Sequence, residues 1–332
     1  MKVAILGFGS VGQGVARMIR EKNLGLTITA IADSRSGLMD KKGINPEKVL
    51  SKKKEGLPVG DAEVTARSIL PTADYDVLVE VTPTNITSGE PATTHIRTAL
   101  ERGKHVVTSN KGPIALHHRE LCTIAAARGV ALRYEATVCG AIPLIHVLEH
   151  DLLGNEIRGL YGVMNGTCNY ILTRMSEEGL TYEQALAEAR EMGYAEADPT
   201  YDVKGIDAAI KLVIFANTIW DWNARFADVE LTGIDQLTPD ALRLAEADDA
   251  TIRLIAEAVP ARKLLRVSPR ILPRGHPLVV QGTLNAVTLE ADMAGSLTFI
   301  GKGAGSVETA SAIIGDLLFI KEKYDRCSRK KT

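Results

Sequence analysis

An α/β fold class, in which a doubly wound parallel sheet is joined to a second, α+β domain with a mixed sheet, is predicted by three features. The first is a short apolar strand at residues 2–6 that runs into Gly7-Phe8-Gly9-Ser10-Val11-Gly12 and then a helical pattern through Val15, Met18 and Ile19. The second is a strand at 26–32 ending in Asp33, about 20 residues beyond the last glycine. The third is the alternation of a strand at 76–81, a helix at 91–101 and a strand at 105–109. G-x-G-x-x-G between a strand and a helix lets the backbone approach a pyrophosphate at the helix N-terminus, and Asp33 stands where an acidic side chain holds ribose hydroxyls. The first domain therefore reads as a Rossmann-type dinucleotide-binding domain.

Asp33 tilts the cofactor toward NAD. Arg35 and the run Lys52-Lys53-Lys54 could instead meet the 2′-phosphate of NADP, although that run also reads as a solvated helix end. Ligands of such a sheet gather at the carboxyl ends of its strands. Thr82 and Pro83 fall at one such end, and Ser109, Asn110 and Lys111 at the next, where Lys111 is in position to reach the nicotinamide.

With 332 residues and 45% hydrophobic content the chain can bury a substantial core, and two domains are expected. We place the dinucleotide-binding domain at 1–135, with 303–332 returning to it, and the substrate-binding and dimerisation domain at 136–302. Charge is balanced, 39 basic against 41 acidic residues, which leaves no basic footprint for nucleic acid. No apolar run reaches the length of a membrane span, and Met1 leads straight into a strand, so a cytoplasmic protein is expected. Cys122, Cys139, Cys168 and Cys327 show no zinc-ligand spacing and read as thiols. Cys327 lies in a polar tail, expected to be mobile, where it could cross-link subunits. The seven histidines show no metal-binding pattern and read as surface or satisfied core residues.

In the second half a strand at 156–164 ends in the polar cluster Asn165-Gly166-Thr167-Cys168-Asn169-Tyr170. A helix at 181–192 opens with a Thr-x-x-Gln capping box and closes at Gly193. Strands are expected at 264–267, 278–283 and 286–289, then a second glycine-rich loop, Gly301-Lys302-Gly303-Ala304-Gly305, and a helix over 309–320. The stretch from Gly193 to Lys211 carries Tyr194, Glu196, Asp198, Asp202, Asp207 and Lys211. Asp198-Pro199 starts a helix whose apolar stripe is Val203, Ile206, Ile210, Val213 and Ile214, with Asp207 and Lys211 on its flank. Alone, that pair reads as an exposed i,i+4 ion pair worth about 0.3–0.5 kcal/mol.

A dinucleotide beside lysines and carboxylates suits hydride transfer to a carbonyl, because the charge that develops on its oxygen must be met by a proton or a cation. Lys111 and Lys211 can each do this.

The chain resembles homoserine dehydrogenases. The pattern Ala189-x3-Gly193-Tyr194-Ala195-x2-Asp198-Pro199-x2-Asp202-Val203-x-Gly205-x-Asp207-x3-Lys211 matches that family's signature at every fixed position. Ser109-Asn110-Lys111, Glu135-Ala136-Thr137-Val138, Asn165-Gly166-Thr167-x-Asn169-Tyr170 and Gly303-Ala304-Gly305 extend the match. The resemblance implies reversible NAD(P)-dependent interconversion of L-homoserine and L-aspartate 4-semialdehyde, in threonine, methionine and isoleucine biosynthesis. Lys111 and Lys211 would be the proton-handling and substrate-orienting pair, and Glu196 and Asp207 would bind the substrate's hydroxyl or amino groups. Tyr194, Asn165, Thr167 and Asp202 would line the pocket, and Gly193 and Gly303 would complete the cofactor contacts. The resemblance also implies a sodium ion on backbone carbonyls of Glu135, Val138, Gly140 and Ile142, where Cys139-Gly140 departs from the family's usual spelling. A homodimer is expected, and no C-terminal regulatory domain. An aspartate-semialdehyde dehydrogenase would need a nucleophilic cysteine with a basic partner, which neither Cys139 nor Cys168 resembles.

Overall fold

The structure is a computed structural model that describes the backbone of residues 1–329 and the side chains of residues 1–323, so the Cys327 side chain lies outside it. The chain divides into two compact units, Met1–Gly140 with Gly305–Thr332, and Ala141–Ala304.

The first unit opens with β1 (Lys2–Leu6), α1 (Ser10–Glu21), β2 (Thr27–Ala32) and β3 (Gly37–Met39). Then come α2 (Pro46–Lys54), α3 (Ala66–Thr72), β4 (Val77–Glu80), α4 (Ala92–Glu101), β5 (His105–Thr108), α5 (Lys111–Arg128) and β6 (Leu132–Arg133). The sheet order is β3-β2-β1-β4-β5-β6, parallel except for the antiparallel edge strand β3. Val3, Ile5, Val77, Val79, Val106 and Val107 are fully buried, as strands covered on both faces require. The reversal of strand order beside β1 makes the carboxyl ends of β1 and β4 the ligand-binding edge of such a sheet.

The second unit contains α6 (Leu144–His146), which continues as a π turn to Asp151, β7 (Ile157–Val163), α7 (Gly166–Glu178) and α8 (Tyr182–Glu191). It goes on through α9 (Thr200–Val203), α10 (Ile206–Trp220), β8 (Glu230–Leu231), α11 (Pro239–Ala247), β9 (Ala250–Val259), β10 (Leu264–Pro273), β11 (Leu284–Ala291) and β12 (Gly295–Lys302). Its sheet runs β12-β11-β7-β9-β10-β8 and is mixed, with only the β10–β8 pair parallel. Helices α7 and α10 pack on it.

The last helix, α12 (Ser306–Arg329), belongs to the first unit. Ala310, Ile313, Ile314, Leu317 and Ile320 recur at helical spacing and join Val15, Ala16 and Ile19 of α1 in one core. Asp316 on the same helix is 3% exposed; its Oδ1 lies 3.1 Å from Arg133 Nε and its Oδ2 accepts the Glu135 N–H.

Several elements differ from those expected. The single helix read from Asp198-Pro199 is two helices, because Gly205 takes the left-handed φ of +80° between them, and a Cβ there would stand 3.0 Å from Leu231 and 3.1 Å from Val267. The stretch 278–283 is not a strand; its carbonyls turn inward to accept bonds from Asn169 and Arg253. Strands β9 and β12 were not foreseen, and α12 continues to Arg329 through the tail expected to be mobile. Among the described residues no helix is long and apolar enough to cross a membrane.

The Arg133–Asp316 pair is buried on both sides, so Asp316→Ala, which also removes the acceptor of the Glu135 N–H, should destabilise the chain by about 3–5 kcal/mol, the cost of breaking a buried pair. Urea denaturation reads this, and an unchanged midpoint refutes it.

Candidate active site

In the first unit the loop after β1 forms a cradle. Gly7 has φ +96°, and a Cβ there would come within 2.4 Å of the Val81 carbonyl; one on Gly12 would strike Gly7 O. Above Gly9 nothing lies within 4 Å of where a side chain would start, and the N-terminus of α1 has no side-chain cap. Phe8 is buried beneath the loop, while Ser10 and Val11 begin the helix. Open backbone donors at the start of a 12-residue helix fit a pyrophosphate.

Asp33 follows β2, and its carboxylate is already engaged. Oδ1 accepts the N–H groups of Arg35 (2.9 Å) and Ser36 (3.0 Å), and Oδ2 accepts Lys53 Nζ at 2.7 Å. Burial alone would raise the Asp33 pKa, but the Lys53 bond and the two backbone donors outweigh it and hold it below the usual carboxylate range. Lys53 is therefore set apart from its neighbours in the run, with a side chain only 16% exposed.

Lys111 is the first residue of α5 rather than part of a loop before it. Asn110 caps that helix through Oδ1 to Gly112 N (3.2 Å), and its Nδ2 reaches the Thr82 and Pro83 carbonyls at 3.0 and 3.3 Å. Ser109 N donates to the Glu80 carbonyl at 3.3 Å. The strand ends named by sequence are thus bonded to one another. Glu135 opens a 3-10 turn that Val138 N closes onto its carbonyl at 3.3 Å; Cys139 and Gly140 follow with φ +49° and +56°. The Ile142 carbonyl accepts Leu144 N at 2.9 Å.

In the second unit Asn165, Asp202, Asp207 and Lys211 come together. Lys211 is 5% exposed, and its ammonium donates to Asp207 Oδ2 at 2.7 Å and to the Met164 carbonyl at 2.6 Å. Asn165 caps α7 by accepting Cys168 N and turns its amide to Asp202 Oδ1 (2.7 Å) and Asp207 Oδ2 (2.9 Å). An ammonium has three donors, so one remains beyond those two acceptors. Asp202 is pushed above its ordinary pKa by burial; the Asn165 bond opposes this and the nearby Asp207 charge adds to it. Thr167 Oγ1 donates to the Tyr194 carbonyl at 2.8 Å, and the Tyr194 ring meets Tyr170 edge-on. Glu196 and Gly193 are exposed, and no bond joins Glu196 to the cluster. Gly303 lies against the Asn285 amide at the end of the β12 turn.

A cleft of about 720 Å³ in this unit is elsewhere, lined by Tyr161, Glu257, Arg270, His276, Thr288 and Glu290 on the sheet. The chemistry-bearing side chains mark the site; the cleft does not. Sequence reasoning missed Tyr201, whose buried hydroxyl has no hydrogen-bond partner among the described residues, and the buried Glu80 and His95. A glutamate closing an otherwise apolar strand was the one available signal.

Comparison with known proteins identifies the family. The family model described as "Homoserine dehydrogenase" matches residues 143–318, and the one described as "Homoserine dehydrogenase, NAD binding domain" matches residues 7–135. A homoserine dehydrogenase of Methanocaldococcus jannaschii is 43% identical, over 96% of this chain and 98% of that protein. An NAD(+)-dependent homoserine dehydrogenase of Pseudomonas canavaninivorans is 38% identical, over 98% of this chain and 97% of its own length. The structure of a hyperthermophilic archaeal homoserine dehydrogenase in complex with NADPH superposes with a TM-score of 0.84 at 30% identity, covering 97% of this chain and 98% of that one. The chain belongs to the homoserine dehydrogenase family and is an NAD(P)-dependent oxidoreductase.

Proposed function

We propose that the chain interconverts L-homoserine and L-aspartate 4-semialdehyde, with Lys211 and Lys111 as its proton-handling and substrate-orienting residues. The observation that carries this reading is the buried Lys211 ammonium, held by Asp207 and the Met164 carbonyl with one donor to spare. The bound nicotinamide supplies and receives the hydride. In the reducing direction Lys211 directs its remaining N–H at the aldehyde oxygen, meets the charge that builds there and delivers the proton that completes the alcohol. In the oxidising direction the same nitrogen, deprotonated, accepts the hydroxyl proton. Asp207 fixes the ammonium through Oδ2, while Asn165 holds Asp202 and Asp207 in register and Thr167 anchors the Tyr194 backbone beside them. Glu196, exposed on the loop before α9, is the group left to take the substrate's amino end.

In the first unit the cofactor is held by Gly7 to Gly12, Asp33, Arg35, Thr82, Pro83, Ser109, Asn110 and Lys111. Because Lys53 neutralises Asp33, a 2′-phosphate would meet a cation rather than a bare carboxylate, and both NAD and NADP are accepted. A sodium ion on the carbonyls of Glu135, Val138, Gly140 and Ile142 is part of the same reading, as are a cytoplasmic location and a homodimer. The dimer face is the side of the second sheet that carries the Tyr161–Glu290 cleft and the exposed Ile271.

Assayed with both cofactors, in sodium and in choline salts, the protein should oxidise L-homoserine, and Lys211→Ala should lower kcat at least about a hundredfold. No turnover with either cofactor in either direction sinks the assignment. Asp202 gives a pH signature. Its folded pKa lies above the unfolded value of about 3.9, so between the two the folded chain holds a proton that the unfolded chain has lost, and stability falls as pH rises through that window. Asp202→Asn should remove that slope and raise Tm near neutrality, while an unchanged pH–Tm curve refutes it. Sedimentation equilibrium at micromolar concentration should return twice the chain mass, and a monomer mass rules out the dimer.

A further inference from the structure

We propose that Glu80 is a positioning residue for the reaction: through Thr82 it fixes the backbone that joins the glycine cradle to the start of the Lys111 helix. This rests on Lys111 being one of the two lysines that handle substrate and proton.

Glu80 is the last residue of β4, 0% exposed, and lies in register between Leu6 of β1 and Thr108 of β5. A carboxylate buried there is costly, and a hydrophobic side chain of similar size would fill the space better if packing were its only task. Its Oε1 accepts two bonds from one residue, the Thr82 N–H at 3.3 Å and the Thr82 hydroxyl. His95 Nδ1, from α4, stands 3.5 Å from the same oxygen; among the described residues neither that nitrogen nor Glu80 Oε2 has a hydrogen-bond partner. The carboxylate is thereby spent on Thr82.

Thr82 touches both halves of the cofactor-binding edge. Its N lies 2.6 Å from where a Gly7 Cβ would stand, so the Thr82 peptide is the floor beneath the cradle. Its carbonyl accepts Asn110 Nδ2 at 3.0 Å, and Asn110 caps the helix whose first residue is Lys111. The circuit closes on Glu80 itself, because Asn110 N donates to Thr108 Oγ1 (2.9 Å) and that hydroxyl donates to the Glu80 carbonyl (2.9 Å). Beyond the cap, Gly112 packs so tightly on Asn85 O that a Cβ would come within 2.2 Å of it. Loop and helix start therefore move together. Freeing Thr82 from Glu80 shifts both the cradle floor and the cap that aims Lys111.

The test compares Glu80→Ala, Glu80→Gln, Thr82→Val and Lys111→Ala, measuring kcat, the homoserine KM, the NAD and NADP Kd by fluorescence titration, and Tm. Glu80→Ala should lower kcat about ten- to a hundredfold, the scale of an ångström's misplacement. It should also weaken cofactor binding while the homoserine KM stays within about twofold. Glu80→Gln keeps an acceptor oxygen and should recover most of kcat. Thr82→Val breaks the hydroxyl bond without disturbing the buried strand, and should reproduce the losses even where Glu80→Ala folds poorly. Wild-type kcat and Kd in Glu80→Ala or Thr82→Val, measured below Tm, overturn the proposal, as does a fall in Tm alone. If Lys111→Ala leaves kcat unchanged, it is the reading of Lys111 that fails. The cofactor Kd of Glu80→Ala then decides separately: weakened binding keeps the hold on Thr82, and unchanged binding ends it.

Discussion

One carboxylate oxygen organises the second unit. Asp207 Oδ2 receives both the Lys211 ammonium and the Asn165 amide, and Asn165 in turn receives Cys168 N at the head of α7 and donates to Asp202. A lysine that is 5% exposed stays in place only if its charge is answered and its donors are occupied. Asp207 answers the charge and the Met164 carbonyl, just past the end of β7, takes a second donor. Helix α7, helix α9, helix α10 and strand β7 are thereby referred to a single point, and the direction of the ammonium is set by Asp207 and the Met164 carbonyl.

Two further carboxylates show how local surroundings decide a charge. Asp33 and Asp202 both lose water on folding, which by itself favours the neutral acid. Asp33 gains a lysine and two backbone donors and stays ionised with ease. For Asp202 burial and the nearby Asp207 charge prevail over the Asn165 and Thr167 bonds and the Lys211 charge, and it is pushed the other way. The first remains a carboxylate at the end of β2; the second keeps its proton more readily beside the Asp207–Lys211 pair.

How far the sequence could be read depended on whether the signal was local. The glycine cradle, the capping box at Thr181 and the Asp207–Lys211 spacing are short-range patterns, and the structure contains all three. What the spacing could not convey was burial: the same i,i+4 pair reads as a weak surface contact until strand β7 and α7 are laid over it. Gly205 broke a helix that the apolar stripe carried straight through, because the stripe continues across the two-residue break at Lys204 and Gly205. Strand β9 escaped notice because a central strand buried on both faces does not alternate. The loop at 278–283 looked like a strand because Leu278 and Val280 are apolar and buried, yet its carbonyls serve Asn169 and Arg253. Lys53 derives its meaning from Asp33, 20 residues away, and Glu80 from its complete burial in the sheet, neither of which a short window of sequence displays.

The return of α12 to the first unit has a consequence for how the chain is made. Arg133 meets Asp316 across 183 residues, and Ala310, Ile313, Leu317 and Ile320 fill the core that β1 and α1 begin. During synthesis the whole of the second unit leaves the ribosome before those side chains do. The second unit can close on its own residues while the nucleotide-binding unit waits with one flank of its core and a buried arginine uncovered. The part of the protein translated first is the last to be finished.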